Sequence, residues 1–389
     1  MPVRRTKRGA ERTILAEDHD VVICGASFAG LATARELAGA RVGARPARVL
    51  LLDRYEIGDR QTSACAAPTY WLTALDLQGS IQQTFSDLVI NTPHCSVRFK
   101  LPWTFSTFDY PTLCRELDEQ NTAKFETATV TGPAKGNASE ALLTVPTDRG
   151  EVRAPLVIDA LGWRRVLDPV AGYQPPDAPL SRGLEVHPSG NGADLEIWID
   201  RSIVPAGYGW SFPASDEVRV GVGSFDPRFH VRQPTVELSE QVGRDAVRYQ
   251  GNWIPHRLRA ATTGGVFYVG DSAGHCLPLT AEGIRTAFYF GIACGRELRR
   301  VLEGRATWDM ALRRYGDFSA RHEWAFAWML RGQRLVPRVP PRLLSLALRA
   351  MESPRFVRWS FDHYLKIAHP SFAWEGQFRS DAATLAKAA

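Results

Sequence analysis

The feature that most limits the fold of this chain is a glycine turn between two apolar runs near its start. The run DVVIC (20–24) leads into the turn GASFAG (25–30), and good helix formers follow at 31–38. A second apolar run at 48–52 ends in Asp53. Strand, glycine turn, helix, strand and acid, in this order, form the βαβ unit that binds a dinucleotide. The sequence therefore predicts such a unit within an α/β protein.

Each residue type in this unit has a physical role. Gly25 allows the tight turn and Gly30 lets the helix pack closely on the strand, while the N–H groups of the helix start attract a diphosphate. Asp53 lies 23 residues after Gly30, near the usual distance for a carboxylate that binds a ribose. Ser27 replaces the middle glycine of the usual motif and is small enough to let a phosphate approach. An ordinary βαβ turn without a ligand is the weaker interpretation.

Two later segments repeat the arrangement of an acid at the end of an apolar strand. The first, APLVIDALGWRR (154–165), contains Asp159, and the second, VFYVGDSAGHCLPLTAEGI (266–284), contains Asp271. Such a carboxylate can accept hydrogen bonds from ribityl or ribose hydroxyls. A helix predicted to begin near Gly283 would direct its positive end at developing negative charge. A simple NAD dehydrogenase does not need these additional segments, so they favour FAD.

The three segments together resemble the glutathione-reductase-type FAD fold shared by aromatic hydroxylases, flavin halogenases and geranylgeranyl reductases. The stretch GDSAGHCLPLTAEGI is similar to the geranylgeranyl reductase pattern. The stretch YGWSFP (208–213), followed by VGVG (220–223), resembles a second pattern of that branch. The resemblance spans residues 20–291. It implies an α/β fold (α+β overall) with a Rossmann-type FAD-binding domain, an inserted antiparallel β-sheet substrate domain and a C-terminal helical region.

The resemblance also implies the site residues. FAD is expected to be held by residues of all three segments: Gly25, Ser27, Gly30, Asp53, Arg54, Asp159, Gly162, Gly270, Asp271, Pro278, Gly283 and Ile284. Tyr208, Trp210 and Phe212 are expected to line an apolar substrate pocket. Cys65 and His275 are the catalytic candidates, Cys65 as a proton donor near the flavin ring and His275 as a group that orients the substrate. A packed, silent thiol and a loop-stabilising histidine are the alternatives.

Two positions depart from the family pattern near the expected flavin ring. Ala66 and Ala67 stand where relatives have glycines after the cysteine, and Phe105 stands where relatives often have an arginine. These departures concern the redox chemistry and the substrate rather than the cofactor.

The leading hypothesis for the activity is reduction of a C=C bond in an apolar substrate by hydride transfer from N5 of the reduced flavin. A monooxygenase of the aromatic-hydroxylase type is the main alternative, because one fold serves both chemistries. A flavin halogenase is less favoured, since no lysine occurs between Lys7 and Lys100. A non-catalytic flavin- or lipid-binding protein also stays open. No second dinucleotide unit is visible, so electrons are expected from transiently bound NAD(P)H or from a partner reductase.

The domain organisation follows from the same patterns. Alternating polar and apolar residues at 84–103 and 183–225 predict antiparallel strands. A long amphipathic helix is expected at 308–330, with shorter ones at 342–351 and 355–366. The predicted boundaries are a basic tail at 1–19; an FAD-binding domain at 20–83, 104–170 and 261–303; a substrate-binding sheet domain at 84–103 and 171–260; and a C-terminal helical region at 304–389.

The charge and the cysteine content limit which partners and metals are expected. The net charge is +5, yet residues 296–366 alone hold fifteen Arg or Lys against seven Asp or Glu. These basic helices are expected to cap the substrate cavity, form a dimer or contact a membrane peripherally, and a nucleic-acid partner is not expected. The start of the chain lacks the apolar stretch of a signal peptide, which favours a cytoplasmic protein. None of the six cysteines is spaced C-x-x-C, so no metal site is expected.

Overall fold

The computed structural model describes residues 13–136, 142–169 and 177–374. The first twelve residues of the predicted basic tail lie outside these ranges, as do residues 375–389 of the predicted C-terminal region. The strands of the described ranges are β1 (Val21–Cys24), β2 (Arg41–Val42), β3 (Arg45–Pro46), β4 (Val49–Asp53), β5 (Ala66–Pro68), β6 (Ile81–Thr92), β7 (Cys95–Phe108), β8 (Lys124–Thr127), β9 (Leu143–Thr147), β10 (Gly150–Ala154), β11 (Leu156–Asp159), β12 (Leu180–Val186), β13 (Leu195–Trp198), β14 (Gly207–Ala214), β15 (Glu217–Ser224), β16 (Gln250–Pro255), β17 (Thr262–Thr263) and β18 (Val266–Tyr268). The helices are α1 (Phe28–Glu36), α2 (Thr69–Ala74), α3 (Tyr110–Glu119), α4 (Arg232–Gln241), α5 (Ile284–Leu302), α6 (Trp308–Ala320), α7 (Glu323–Leu335), α8 (Pro341–Ala350) and α9 (Pro354–Lys366).

A mostly parallel sheet forms the first layer, with strand order β17-β18-β11-β1-β4-β8. Strand β1 lies at its centre, where Cys24 pairs with Leu52 of β4 on one side and with Asp159 of β11 on the other. Every residue of β1 is buried, as expected for a parallel strand covered on both faces. Because β1, β4, β11 and β18 are parallel, their carboxyl ends meet at one edge of the sheet. The predicted α/β fold is confirmed.

A second sheet of eight strands, ordered β16-β12-β15-β14-β13-β6-β7-β5, stands beside the first. Its neighbours are antiparallel except for the parallel pair β13 and β6. It contains the strands predicted at 84–103 and 183–225, so the inserted antiparallel sheet is confirmed. The sheet also includes β5 and the end of β7, which the predicted boundaries assign to the FAD-binding domain. The boundaries themselves stay a prediction.

Helices α1 and α5 pack closely against each other on the parallel sheet. A Cβ atom at Gly291 would lie 2.7 Å from the carbonyl oxygen of Ala29, and one at Gly295 would lie 2.7 Å from that of Thr33. The two glycines of α5 therefore set the distance between the helices. Helix α5 begins at Ile284, directly after Gly283, as the sequence predicts.

The C-terminal region departs from its prediction at one point. The single helix predicted at 308–330 is wrong, because the chain forms α6 and α7 with a break at Arg321 and His322. The ring of His322 packs edge-on against Phe290, with centroids 5.1 Å apart, and its Nδ1 lies 2.9 Å from the carbonyl oxygen of Phe318. This packing turns the chain although the amphipathic period continues. Helices α8 and α9 begin within one residue of their predicted starts. Within the described ranges, no helix has the length and apolar character needed to cross a bilayer.

Candidate active site

The three predicted segments meet at the carboxyl edge of the parallel sheet. The N–H of Ala160 donates to the carbonyl of Cys24 at 2.7 Å, which joins the second segment to the first. Ser272 Oγ donates to Asp159 Oδ1 at 2.7 Å, and the N–H of Val269 donates to the carbonyl of Asp159 at 3.0 Å. The third segment is thereby joined to the second. The structure thus brings together stretches that lie more than a hundred residues apart in the chain.

The glycine turn has the geometry that its sequence implies. Gly25 has φ +110°, and a Cβ atom there would lie 2.2 Å from the carbonyl oxygen of Ala160. A Cβ atom at Gly30 would lie 1.8 Å from the carbonyl oxygen of Gly25. No other residue type fits at either position. Helix α1 begins immediately after Ser27, and neither a capping side chain nor an acidic residue in its first turn engages its first N–H groups. Because Ser27, Phe28 and Ala29 line the cavity, these free N–H groups lie beside it.

Ser27 has a partner that the sequence does not reveal. The hydroxyl of Tyr110, at the start of α3, donates to Ser27 Oγ at 3.0 Å. Burial raises the pKa of Tyr110 well above its ordinary value, so the phenol stays protonated as a donor. The serine proton is then free to donate into the cavity, which both side chains line. Nothing in the local pattern around residue 110 indicates this contact.

Asp53 lies on the cavity wall at the end of β4. Its carboxylate accepts hydrogen bonds from the N–H of Ala26 at 2.8 Å and from the N–H of Tyr55 at 3.0 Å. Burial raises its pKa, and these two donors oppose the rise. Since each carboxylate oxygen has two lone pairs, Asp53 can still accept a bond from a ribose hydroxyl. Arg54 also lines the cavity, with its guanidinium 4.8 Å from the ring centre of Tyr55.

Asp271 is a carboxylate without a donor among the described residues. Burial raises its pKa to about 6. It lines the cavity beside the start of α5, where a Cβ atom at Gly283 would lie 3.6 Å from its Oδ1. Gly270, just before it, has φ +61° and also lines the cavity, as do Gly162 and Ile284. A hydroxyl donor in the cavity would complete the hydrogen bonding of Asp271.

Asp159 is placed differently from Asp271. Its carboxylate accepts bonds from the N–H of Leu161 at 2.9 Å and the N–H of Leu167 at 2.8 Å, in addition to Ser272. It is fully buried and does not line the cavity. Gly25, Gly30 and Pro278 likewise lie behind the cavity surface. These residues shape the site from behind, so direct contact with FAD through the Asp159 carboxylate is not what the structure indicates.

His275 also lies away from the cavity, contrary to its expected catalytic position. Its ring stacks on Phe290 with centroids 3.7 Å apart, and its Nε2 is 2.9 Å from Ser319 Oγ. Burial lowers its pKa well below the ordinary value, so the ring is neutral. The alternative interpretation, a histidine that stabilises its loop, describes this placement.

Cys65 lines the cavity in an uncommon backbone conformation. Its φ is +51°, and Arg219 donates to its carbonyl oxygen at 3.2 Å and to that of Ala64 at 2.9 Å. Burial raises the pKa of the thiol well above its ordinary value. At neutral pH the group is therefore a protonated, weakly acidic thiol rather than a thiolate.

The second sheet supplies the opposite wall, where Tyr208, Trp210 and Phe212 all line the cavity. The indole of Trp210 lies across two glycines of β15. A Cβ atom at Gly221 would lie 2.2 Å from its Cζ2, and one at Gly223 would lie 3.4 Å from its Cζ3. This contact explains why YGWSFP and VGVG occur together, because the glycines provide the flat surface on which the indole rests.

A buried polar cluster behind Trp210 was not anticipated from the sequence. Trp210 Nε1 donates to Glu185 Oε2 at 3.1 Å, and Glu185 Oε1 lies 3.0 Å from His187 Nε2 and 2.5 Å from Gln250 Nε2. Glu185 lines the cavity although it is only 3% exposed. Burial opposes the charged form of His187, but hydrogen bonds to Glu185 and Glu217 outweigh it and raise the pKa. Glu185 near the end of β12 and His187 just after it were the available signal, since residues two apart in extended chain share one face.

One continuous cavity joins these groups. Its volume is ≈ 1610 Å³, above the range of roughly 300–1,000 Å³ typical of small-molecule pockets. Tyr208 bridges its two walls by donating to the carbonyl of Thr280 at 2.6 Å. The unpartnered Asp271, the glycine turn at Gly25 and the free N–H groups of α1 fit FAD, and space is left for a second molecule.

The fold of this chain is shared by solved structures of a reductase-like protein, a monooxygenase and a flavin-dependent brominase, and the site described above fits an FAD molecule. No family model matches the chain. Among curated proteins, a digeranylgeranylglycerophospholipid reductase from Methanocaldococcus jannaschii is 25% identical over 118 residues, covering 28% of this chain and 30% of that protein. One from Methanopyrus kandleri is 28% identical over 183 residues, covering 43% and 49%. The chain thus spans about a third to a half of the length of these relatives.

Solved structures agree over nearly the whole chain. A geranylgeranyl bacteriochlorophyll reductase-like protein from Thermoplasma acidophilum superposes with a TM-score of 0.77 at 17% identity, covering 92% of this chain and 98% of that one. A p-nitrophenol 4-monooxygenase from Pseudomonas putida gives a TM-score of 0.69 at 15% identity, covering 91% and 99%. A flavin-dependent brominase gives 0.60 at 16%, covering 90% and 100%. The predicted resemblance to geranylgeranyl reductase-like flavoproteins is confirmed by these relatives.

Proposed function

We propose that this protein is an FAD-dependent reductase that saturates a C=C bond in an apolar, isoprenoid-type substrate. The observation that carries the proposal is the single cavity that joins the flavin-type residues Ser27, Asp53 and Asp271 to the aromatic wall at Trp210. Such a cavity can hold a dinucleotide and a long apolar molecule side by side. Bound and reduced, FAD would supply a hydride equivalent to that molecule.

The relatives support reduction over oxygenation. The two sequence relatives described above are named as reductases of geranylgeranyl groups, and the reductase-like structure superposes with a higher TM-score than the monooxygenase or the brominase. A monooxygenase remains the alternative because its fold is the same.

The chain's own residues would hold the cofactor and orient the substrate. Asp53 and Asp271 would accept hydrogen bonds from FAD hydroxyls, and the N–H groups at the start of α1 would face the diphosphate. Trp210, held flat on Gly221 and Gly223, would present an apolar face to the substrate. The aromatic wall would exclude water from the reacting carbon atoms beside it.

Saturation of a double bond also requires a proton, and the Glu185–His187 pair is the proposed source. Glu185 reaches the cavity surface, and hydrogen bonds to Glu185 and Glu217 raise the pKa of His187 behind it, which favours the protonated imidazole. His187 Nε2 would pass its proton to Glu185, from which it moves to the substrate carbon. Cys65 is the second candidate, but its raised thiol pKa makes it the weaker acid.

The test combines anaerobic turnover with isotope-labelled oxygen. The flavin is reduced with dithionite, a geranylgeranyl compound in detergent is added, and the product is analysed by mass spectrometry. We expect each reduced bond to gain two hydrogen atoms while one flavin is reoxidised. A product formed only after ¹⁸O₂ is admitted, and carrying the label, would replace this proposal with the monooxygenase.

The physiological electron donor is proposed to be NAD(P)H bound transiently or a partner reductase. Anaerobic bleaching of the flavin absorbance by NADPH alone would favour the first source. Bleaching by dithionite but by neither nicotinamide nucleotide would favour the second.

A further inference from the structure

Apolar side chains are exposed mainly in one part of the molecule. Of the large hydrophobic residues that stand exposed among the described residues, seven of eleven belong to helices α7 to α9 and their connections. The C-terminal apolar face is defined here by these seven: Trp324, Trp328, Leu335, Leu343, Leu346, Met351 and Trp359. Exposure of seven large apolar side chains within residues 324–359 is uncommon on a monomer and marks a contact surface.

The spacing of these residues gives α7 and α8 one apolar stripe each, and α9 adds Trp359. On α7, Trp324, Trp328 and Leu335 are four and seven residues apart in turn, which places them on one side. On α8, Leu343 and Leu346 are three apart, with Leu348 buried on the other side. The stripes are therefore the outer faces of amphipathic helices whose inner faces already pack on the protein.

The same helices are strongly basic. Residues 321–366 contain nine Arg or Lys and three Asp or Glu, a net charge of +6. The arginines at 331, 334, 338, 342, 349, 355 and 358 are exposed, and none forms a salt bridge with another described residue. Arg331 lies over the ring of Trp328, 5.3 Å from its centre. The helices that carry the C-terminal apolar face thus also carry exposed positive charge that no salt bridge among the described residues neutralises.

The cavity opens at this face. Trp324, Trp328 and Trp359 all line the cavity, yet they are 65%, 64% and 57% exposed. These three residues therefore lie where the cavity meets the solvent-exposed surface. The cavity is therefore open to an apolar molecule at the C-terminal apolar face.

We propose that the C-terminal apolar face lies on an anionic phospholipid bilayer and that the apolar substrate enters the cavity from the lipid. Tryptophan and leucine would insert at the boundary of head groups and acyl chains, and the exposed arginines would contact lipid phosphates. A second copy of the chain is the poorer occupant, because two copies of residues 321–366, each with a net charge of +6, would repel each other in a symmetric contact. The docking stands without the proposed function, and only the entry of substrate rests on it.

Vesicle flotation tests the docking without turnover. The full-length flavoprotein is floated with phosphatidylcholine vesicles, with and without phosphatidylglycerol, and the floating fraction is measured. We expect binding to the anionic vesicles, weakened by salt. The triple variant Leu335→Ser, Leu343→Ser, Leu346→Ser, which leaves the cavity lining intact, should lose roughly tenfold or more in affinity, since three inserted leucines are removed.

Matched controls distinguish binding through the C-terminal apolar face from nonspecific binding to vesicles. The double variant Val247→Ser, Tyr249→Ser changes exposed apolar residues elsewhere and should float like the wild type. Arg342→Glu with Arg349→Glu should abolish the preference for phosphatidylglycerol, while Arg115→Glu with Arg313→Glu should keep it. Absent flotation of the wild type, or equal flotation of the triple variant, overturns the docking. So does a wild-type dimer in light scattering that the triple variant converts to a monomer.

Activity measurements keep this inference apart from the proposed function. The triple variant is expected to lose flotation and to lose turnover of vesicle-embedded substrate, while it keeps turnover of detergent-dissolved substrate. This combination supports both the docking and the reductase proposal. Flotation without turnover on either form of substrate would overturn the reductase proposal and leave the docking in place.

Discussion

At the scale of single residues, Asp271 makes FAD binding sensitive to pH. Its carboxyl has a pKa of about 6, raised by burial, and it has no donor among the described residues. Hydroxyls of FAD would donate to the carboxylate, so the charged form binds better. We expect the affinity for FAD to be constant above pH 7 and to fall up to about tenfold per pH unit below pH 6. Titration of apoprotein with FAD by flavin fluorescence at several pH values measures this.

The variant Asp271→Asn is the control for that dependence. The amide can be neither protonated nor charged in this range, so binding should be weaker at neutral pH and flat across the acid range. A wild-type affinity that does not change between pH 5 and 8 contradicts the role of this carboxyl. The variant Asp271→Ala is expected to purify with little flavin. A full complement of bound flavin in this variant would show that Asp271 is not part of the flavin site.

Glu185 is expected to act on turnover rather than on flavin content. Glu185→Gln keeps an oxygen for Trp210 Nε1 but cannot carry a proton to the substrate, so kcat should fall by roughly 10²- to 10⁴-fold. In the wild type, activity should fall as pH rises through the raised pKa of His187, because the proton donor is then lost. The variant should lack this limb of the pH–rate profile. Glu196 lies on β13 and does not line the cavity, so the control variant Glu196→Gln should leave kcat and the pH–rate profile unchanged.

At the scale of elements, the two glycines of β15 that contact Trp210 are expected to affect substrate binding but not flavin binding. In Gly221→Ala the new methyl would lie 2.2 Å from Cζ2 of Trp210 and 2.7 Å from the carbonyl oxygen of Leu184. Overpacking of this kind costs about 1–3 kcal/mol of unfolding free energy. We expect lower stability in urea and a raised KM, with the flavin absorbance per chain unchanged.

The matched control is Gly132→Ala, where the nearest atom to an added Cβ is Pro146 Cγ at 3.9 Å, an ordinary contact. This variant should match the wild type in urea midpoint and KM. Equal behaviour of the two alanine variants would show that the indole does not rest on β15 in solution.

The helices show where element-level prediction succeeds and fails. The starts of α5, α8 and α9 were predicted to within one residue, because glycine and proline act locally on the backbone. The break between α6 and α7 was not predicted, because it depends on the packing of His322 among Phe290 and Phe318. The amphipathic period is local, whereas the position of a packed ring is not.

At the scale of the whole molecule, FAD should act as a stabilising ligand. Its proposed contacts come from three segments spread over residues 25–284, so an unfolded chain cannot bind it. At a hundredfold excess of free FAD over its Kd, binding adds about 2.7 kcal/mol to the free energy of unfolding. We expect a higher thermal midpoint for the loaded protein, measured by differential scanning fluorimetry of apoprotein with added FAD. Added AMP alone should give a smaller shift, and an equal midpoint with and without FAD would contradict binding across all three segments.

The sequence by itself determined the βαβ unit, the three strand-end segments with their glycines, the inserted sheet and the basic character of the C-terminal helices. These features follow from short-range spacing and backbone preference, which are written locally in the chain. Only the tertiary structure decided that Asp271 lines the cavity while Asp159 does not. It also decided that Tyr110 reaches Ser27 and that Glu185 meets Trp210 and His187 at the cavity wall. Such contacts join residues distant in sequence, and burial and hydrogen bonding select them only when the whole chain has packed.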